Sequence, residues 1–177
     1  NKRITIMDIK SYIRDINDFP KPGIIFKDIT PLMLEVEVMN ATVTQLLGLI
    51  PKGTKIDKVV AMESRGFFFG TLLAQKLGAG FVPARKKGKL PFETCTATYE
   101  LEYGTDQIEI HTDAILPGEN VLIHDDVLAT GGTANAVTQI VKLLGGNIVQ
   151  CQFLMELDFL NGREKLAPYD VASILHY

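Results

Sequence analysis

The chain is predicted to be an α/β protein built on a mostly parallel central sheet flanked by helices on both faces. Three observations point there. Short apolar runs stand at 58–62, 81–84, 121–125, 148–155 and 171–175; segments of helical period stand at 39–50, 67–77 and 137–144; and glycine or proline punctuates most junctions between them. In such a fold the ligand site lies beyond the carboxyl ends of the strands.

Ile9, Tyr12, Ile13 and Ile16 recur at helical spacing after Asp8, which predicts a short amphipathic first helix closing between Asp18 and Pro22. The loop DFPKPGIIFKDITP follows. Met39, Val43, Leu46, Leu47 and Ile50 mark one face of a second helix that stops at Pro51. KVVAM is a short buried strand, and FFFGTLLAQKL, apolar almost all round before Gly78, is expected to be a helix covered on several sides. FVPA gives another strand. From Thr96 to Tyr103 the pattern alternates, with Ala97, Tyr99, Leu101 and Tyr103 on one face and Thr98, Glu100 and Glu102 on the other; QIEIH resumes it, so the two runs form a hairpin. After the turn at Pro117 and Gly118 comes the strand VLIHD, then a helix with Val137, Ile140, Val141 and Leu144 inward, closed by Lys142 and Gly145.

The stretch VLIHDDVLATGGTA, at 121–134, carries the chemistry. Gly131 and Gly132 lack side chains, so their amides can approach a phosphate, and the opening turn of the following helix offers unpaired N–H groups and partial positive charge. Thr130 and Thr133 add hydroxyl donors. Asp125 and Asp126 would repel a phosphate, so they are expected to accept hydrogen bonds from the vicinal hydroxyls of a ribose. The pattern is neither GxxxxGK[ST] nor GxGxxG. His124 fills the last apolar slot before the aspartates, where a packed side chain is expected rather than a catalyst.

Two other segments suit an anionic ligand. Ser64, Arg65 and Gly66 lie at a second strand-to-helix junction and could grip a second anion. RKKGKLP places Arg85, Lys86, Lys87 and Lys89 around a glycine, either as a solvated basic face or as a loop that folds over diphosphate.

At 177 residues, with 46% hydrophobic and 22% charged residues, one domain (1–177) with a core that needs no staples is expected. A net charge of −3 argues against a dedicated nucleic-acid binder. Cys95 and Cys151 form no CxxC or zinc pattern and read as idle thiols. No apolar run is long enough to span a bilayer and NKRITIMDIK has no secretory core, so a cytoplasmic address is expected.

The 121–134 stretch resembles the phosphoribosyl diphosphate (PRPP) motif of type I phosphoribosyltransferases: apolar residues, two acidic ones, then [AT]TGG[TS]. From Asp18 to about Tyr177 the chain is similar to the adenine phosphoribosyltransferases, through DFPKPGIIFKDITP, ESRGFFFG, RKKGKLP, LEYG, VLIHDDVLATGGT and GREKLAP. The resemblance implies a single phosphoribosyltransferase domain with a flexible hairpin lid at about 85–110. It implies transfer of the 5-phosphoribosyl group from PRPP to N9 of adenine, giving AMP and diphosphate, as in purine salvage. It also implies Mg²⁺, held mainly by PRPP oxygens and water rather than by protein ligands, and a homodimer.

By the same resemblance, Ala129, Thr130, Gly131, Gly132 and Thr133 hold the 5′-phosphate, Asp125 and Asp126 the ribose, and Ser64, Arg65 and Gly66 the diphosphate. Arg85 and Lys89 reach the diphosphate across a dimer interface. Ile25, Phe26 and Lys27, with Val127, form the adenine pocket, and Glu102 accepts or shares the adenine proton at N7. A PRPP-sensing regulator would share the diphosphate motif but needs a DNA-binding domain or an extended basic face, and neither is visible. Guanine, hypoxanthine and orotate transferases should differ in the DFPKPGIIFKDI segment.

Overall fold

The structure, a computed structural model, describes residues 7–101 and 103–177. The chain forms two compact units, Asn1–Leu47 and Gly48–Tyr177.

Of the expected first helix only Ile9–Tyr12 is helical, as a 3-10 turn whose Asp8 side chain accepts the Lys10 N–H at 3.2 Å. The expected helix does not continue. At Ile13 the backbone becomes extended, and Arg14–Asn17 forms strand β1, antiparallel to β2 at Ile25–Asp28. Ile13 and Ile16 are β-branched and favour extended backbone, and the segment expected to be a plain loop supplies the partner strand. Asp18 (φ 56°) turns the chain between them, its carboxylate accepting the Gly23 N–H at 2.8 Å. A four-residue helix, α1, at Pro31–Leu34 was also unforeseen; α2, Val36–Leu49, is the expected second helix and buries Val38, Thr42, Val43 and Leu46.

The larger unit is a seven-stranded sheet in the order β5-β6-β4-β3-β7-β8-β9. Its parallel part comprises β3 (Lys58–Met62), β4 (Gly80–Lys86), β7 (Asn120–Leu128), β8 (Asn147–Glu156) and β9 (Val171–His176). The expected hairpin, β5 (Thr94–Glu100) and β6 (Thr105–His111), continues the sheet antiparallel from β4. Its base belongs to the core, with Ile108 and Ile110 fully buried. Its tip departs from the expected alternation: Leu101 and Tyr103 are 49% and 83% exposed rather than inward. Glu102 lies outside the described residues.

Helices α3 (Gly66–Leu77) and α4 (Gly132–Leu143) cover opposite faces. A Cβ at Gly70 of α3 would meet Ala61 and His124, whereas Val137 and Ile140 of α4 share a core with Val60 and Ile123. Neighbouring strand residues point to opposite sides, so the two helices must as well. Helix α3 is not covered all round. It buries Phe69, Gly70, Leu73 and Ala74 as one stripe and leaves Phe68 42% exposed. Among the described residues no helix is long and apolar enough to cross a membrane.

His124 is fully buried beside Gln152 of β8, and burial pushes its pKa down to about 4, so the ring is neutral at physiological pH. Cys151 is buried, with its pKa pushed up to about 12 chiefly by burial, and Cys95 on β5 is partly exposed; both are free.

The close approach of α3 to the sheet makes Gly70→Ala a test of the packing. The new Cβ would lie 2.7 Å from the Ala61 Cβ and 3.2 Å from the Phe81 ring. A helix gains about 1 kcal/mol from Gly→Ala, but overpacking costs about 1–3 kcal/mol, and Ala61 has no rotamer with which to move aside. A lower urea midpoint is expected; an unchanged or higher one would show that α3 does not press on β3 this closely.

Candidate functional site

Strands β3 and β7 run side by side and parallel, and each feeds a twelve-residue helix through a short loop. Neither α3 nor α4 has a side-chain cap at its N-terminus: Arg65 stands at the first and Gly131, at φ 81°, at the second. Uncapped N-termini concentrate N–H donors and partial positive charge where an anion can meet them. The first junction touches β7. A Cβ on Gly66 would lie 2.8 Å from Asp125 Oδ1, so the start of α3 approaches the end of β7 closely because residue 66 has no side chain.

The acidic pair does not close the strand as the sequence reading supposed, since β7 runs on to Leu128. Strand alternation therefore sends the two carboxylates to different sides. Asp126 is buried on the α3 side, and its Oδ2 lies 3.0 Å from Arg65 Nε. Asp125 is on the α4 side, where it lines a hollow of about 80 Å³ with Val127 and the 129–133 loop, and its Oδ1 accepts the Asp126 N–H at 2.8 Å. Burial, reinforced by the charge of Asp126, raises the pKa of Asp125 well above the ordinary carboxylate range, with Arg65 opposing in part.

The hairpin lies over this loop. Gly132 faces the Glu100 carbonyl and the Tyr99 ring. The Tyr99 hydroxyl donates to Asp106 at 3.3 Å, and the same carboxylate takes Lys86 Nζ at 3.3 Å. Tyr99 is also hydrogen-bonded with Thr133. A cleft of about 480 Å³ opens between Tyr99, Glu100, Thr130, Gly132, Thr133 and Lys165.

The basic loop is tied to the first junction within the same chain. Glu63 Oε1 accepts the Lys86 N–H at 2.6 Å and lies 3.4 Å from Arg85 Nε. Ser64 and Lys89 are exposed, whereas Arg85 is engaged by this carboxylate. Glu63, Tyr99 and Asp106 were not foreseen as site residues. The alternation that turned Tyr99 inward was the available signal for one of them; the other two make contacts distant in sequence.

Gly162 was also missed, although GREKLAP had been noted. A Cβ there would collide with the Ala129 carbonyl, and one on Gly131 would sit 2.5 Å from the Gly162 carbonyl. The segment Gly162–Leu166, a 3-10 turn, thus backs the glycine loop. It is pinned by Arg163, whose Nε and Nη2 donate to both Glu156 oxygens at 2.8 and 2.7 Å and whose Nη1 donates to the Val171 carbonyl at 2.7 Å. Burial works to raise the Glu156 pKa, but Arg163 and Ser173 outweigh it, and the net shift is downward.

Ile25, Phe26 and Lys27 lie on β2 of the smaller unit. Phe26 packs edge-on against Phe19 at 5.2 Å, and Lys27 pairs with Asp15 at 2.7 Å. Val127 lies on β7 of the larger unit. Among the described residues the His and carboxylate group with metal-ligand proximity is Glu156, Asp158 and His176.

The model of the phosphoribosyl transferase domain matches residues 29–173. An adenine phosphoribosyltransferase of Flavobacterium johnsoniae is 63% identical over 171 residues, covering 97% of this chain and 100% of that protein. The crystal structure of adenine phosphoribosyltransferase from Thermoanaerobacter pseudethanolicus superposes with a TM-score of 0.93 at 51% identity, covering 98% and 100% of the two chains. That of the Saccharomyces cerevisiae enzyme, complexed with an imino-altritol bisphosphate and adenine, gives 0.89 at 44% identity, covering 95% and 97%.

The raised pKa of Asp125 sets a stability test. Because the folded state holds that proton more tightly than the unfolded chain, whose value is 3.8, the contribution favours folding at low pH and is lost as pH rises through the folded pKa. Asp125→Asn has no charge to desolvate. Its melting temperature should match the parent near pH 4 and exceed it at pH 8, by about 2–4 °C for each kcal/mol relieved. Calorimetry finding a difference that does not grow with pH would contradict the desolvation.

Proposed function

The chain belongs to the phosphoribosyl transferase family, and we propose that it transfers the 5-phosphoribosyl group of PRPP to N9 of adenine, forming AMP and diphosphate. The observation that carries this reading is the pair of uncapped helix N-termini beside Asp125, one packed against it and the other lining the same hollow. Two anion sites flank a carboxylate, which suits a sugar bearing a phosphate at one end and a diphosphate at the other.

Residues 129–133 grip the 5′-phosphate through backbone N–H groups and the hydroxyls of Thr130 and Thr133. Asp125 accepts from a ribose hydroxyl. Asp126 addresses the other while sharing its carboxylate with Arg65. Ser64, Arg65 and Gly66 hold the diphosphate, joined by Lys89 and by Arg85, which must share or leave Glu63 to do so. Base recognition is assigned by family resemblance to Ile25, Phe26, Lys27 and Val127.

Breaking the anomeric C–O bond leaves positive charge on the sugar ring, as in glycoside chemistry. An ionised Asp125 against the ring would stabilise that charge, and Arg65 would stabilise the departing diphosphate. Glu102 takes or shares the proton that adenine loses, at N7. The hairpin excludes water that would otherwise intercept the sugar.

Mg²⁺ fits this site as a substrate-borne ion. Mg²⁺ commonly keeps waters and takes substrate phosphate oxygens with at most one or two carboxylates. It would supply charge neutralisation on the diphosphate. The same reading includes a homodimer and a cytoplasmic address.

Incubation with PRPP and Mg²⁺ and, in turn, adenine, guanine, hypoxanthine and orotate should release nucleotide and diphosphate with adenine alone. Turnover with another base and none with adenine would overturn the reading. Glu102→Gln should slow single-turnover chemistry by about 10²–10⁴-fold with PRPP affinity retained; an unaltered chemical step would remove Glu102 from the mechanism.

A further inference from the structure

The cleft above the glycine loop combines hydroxyl and N–H donors with negative charge. Glu100 stands at its rim, and Asp125 lines the adjoining hollow that shares Thr130, Gly132 and Thr133 with it. A phosphate monoester brings a further charge of about −1.5 to −2 at neutral pH. Helix dipole and backbone donors alone would therefore receive a dianion among carboxylates. The neighbouring cations are committed elsewhere: Arg65 to Asp126, Arg85 to Glu63, Lys86 to Asp106 and Arg163 to Glu156.

Lys165 is the one cation among the residues lining this cleft. It is exposed and makes no ion pair with a described residue. Its position is set from both sides along one short turn. Gly162 is pressed against the Ala129 carbonyl, Arg163 is fixed on Glu156, and Leu166 is buried in the main core. The same contacts that shape the glycine loop from behind thus hold the backbone that presents Lys165 at its mouth.

We infer that Lys165 is a binding residue for the 5′-phosphate, supplying the positive charge that the glycine loop lacks. The inference rests on the phosphoribosyl-transfer reading and adds to it a residue outside the 125–133 motif. Because the 5′-phosphate is present in substrate and product alike, this contact is made equally in ground and transition states. Its loss should fall on affinity rather than on the chemical step.

Lys165→Gln and Lys165→Arg test it, with AMP, adenosine and inorganic phosphate as titrants and PRPP in steady state. Lys165→Gln should weaken AMP binding and raise the PRPP KM about tenfold, a difference of about 1.4 kcal/mol, with adenosine affinity unchanged and the loss confined to KM. Lys165→Arg should restore most of it. Inorganic phosphate should compete with AMP less well in the Gln variant. As the AMP phosphate gains its second charge near pH 6, parent affinity should rise between pH 5.5 and 7.5, and the rise should flatten in Lys165→Gln. Equal AMP affinity in parent and Gln variant would overturn the role of Lys165 while leaving the transferase reading intact. A parent protein that binds neither AMP nor PRPP would overturn both, and a matching loss of adenosine affinity would mark a misfolded cleft and refute the charge assignment.

Discussion

The structure of the larger unit turns on one close approach: the start of α3 is packed against the carboxylate of Asp125, which lines one hollow with the loop that opens α4. That meeting requires Gly66, since a Cβ there would stand 2.8 Å from the Asp125 oxygen. It also keeps the carboxylate desolvated, a state that burial and Asp126 make costly in the resting protein. Asp126 is relieved by Arg65 on the other side of the strand. Two adjacent acidic residues thus end up in different electrostatic surroundings because strand residues alternate. The asymmetry leaves one carboxylate poised toward the cleft and the other fixing a guanidinium.

Around that centre the rest of the unit acts as a mould. The hairpin extends the sheet beyond β4 and sets Tyr99 over the start of α4, where Asp106, Lys86 and Thr133 join it. From below, Gly162 supports the same loop through backbone contact alone, and the Arg163–Glu156 pair keeps it there. The loop is therefore shaped by segments that lie both before and after it in the chain. A phosphate cradle made of amides depends on such support, because its donors have no side-chain freedom with which to correct a displaced backbone.

Much of this was legible in the sequence, and for identifiable reasons. The strands of the parallel sheet are short apolar runs, and α4 keeps a strong apolar stripe at Ala136, Val137, Ile140 and Val141. The glycine loop announced itself through residues that have few other uses in that order. The failures were places where a partner distant in sequence decides the outcome. Residues 13–17 carry a helix-like spacing, yet β2 recruits them into a strand. Phe68 looks like a core residue, yet α3 turns only one stripe inward and leaves it exposed. The Arg65–Asp126 and Arg85–Glu63 pairs join segments 61 and 22 positions apart, which no local pattern records. Leu101 and Tyr103 continue an alternation whose strand has already ended at Glu100.

The two cysteines carry a practical consequence. Nucleophilic sulfur is thiolate, and Cys151, buried under β-sheet neighbours with a pKa of about 12, holds almost none at neutral pH. Cys95 is partly exposed and sits on β5, in the arm that overlies the glycine loop. The wild-type chain is thereby pre-equipped for site-selective alkylation: a maleimide fluorophore should attach to that arm alone, giving a spectroscopic gauge of its position without any engineered residue.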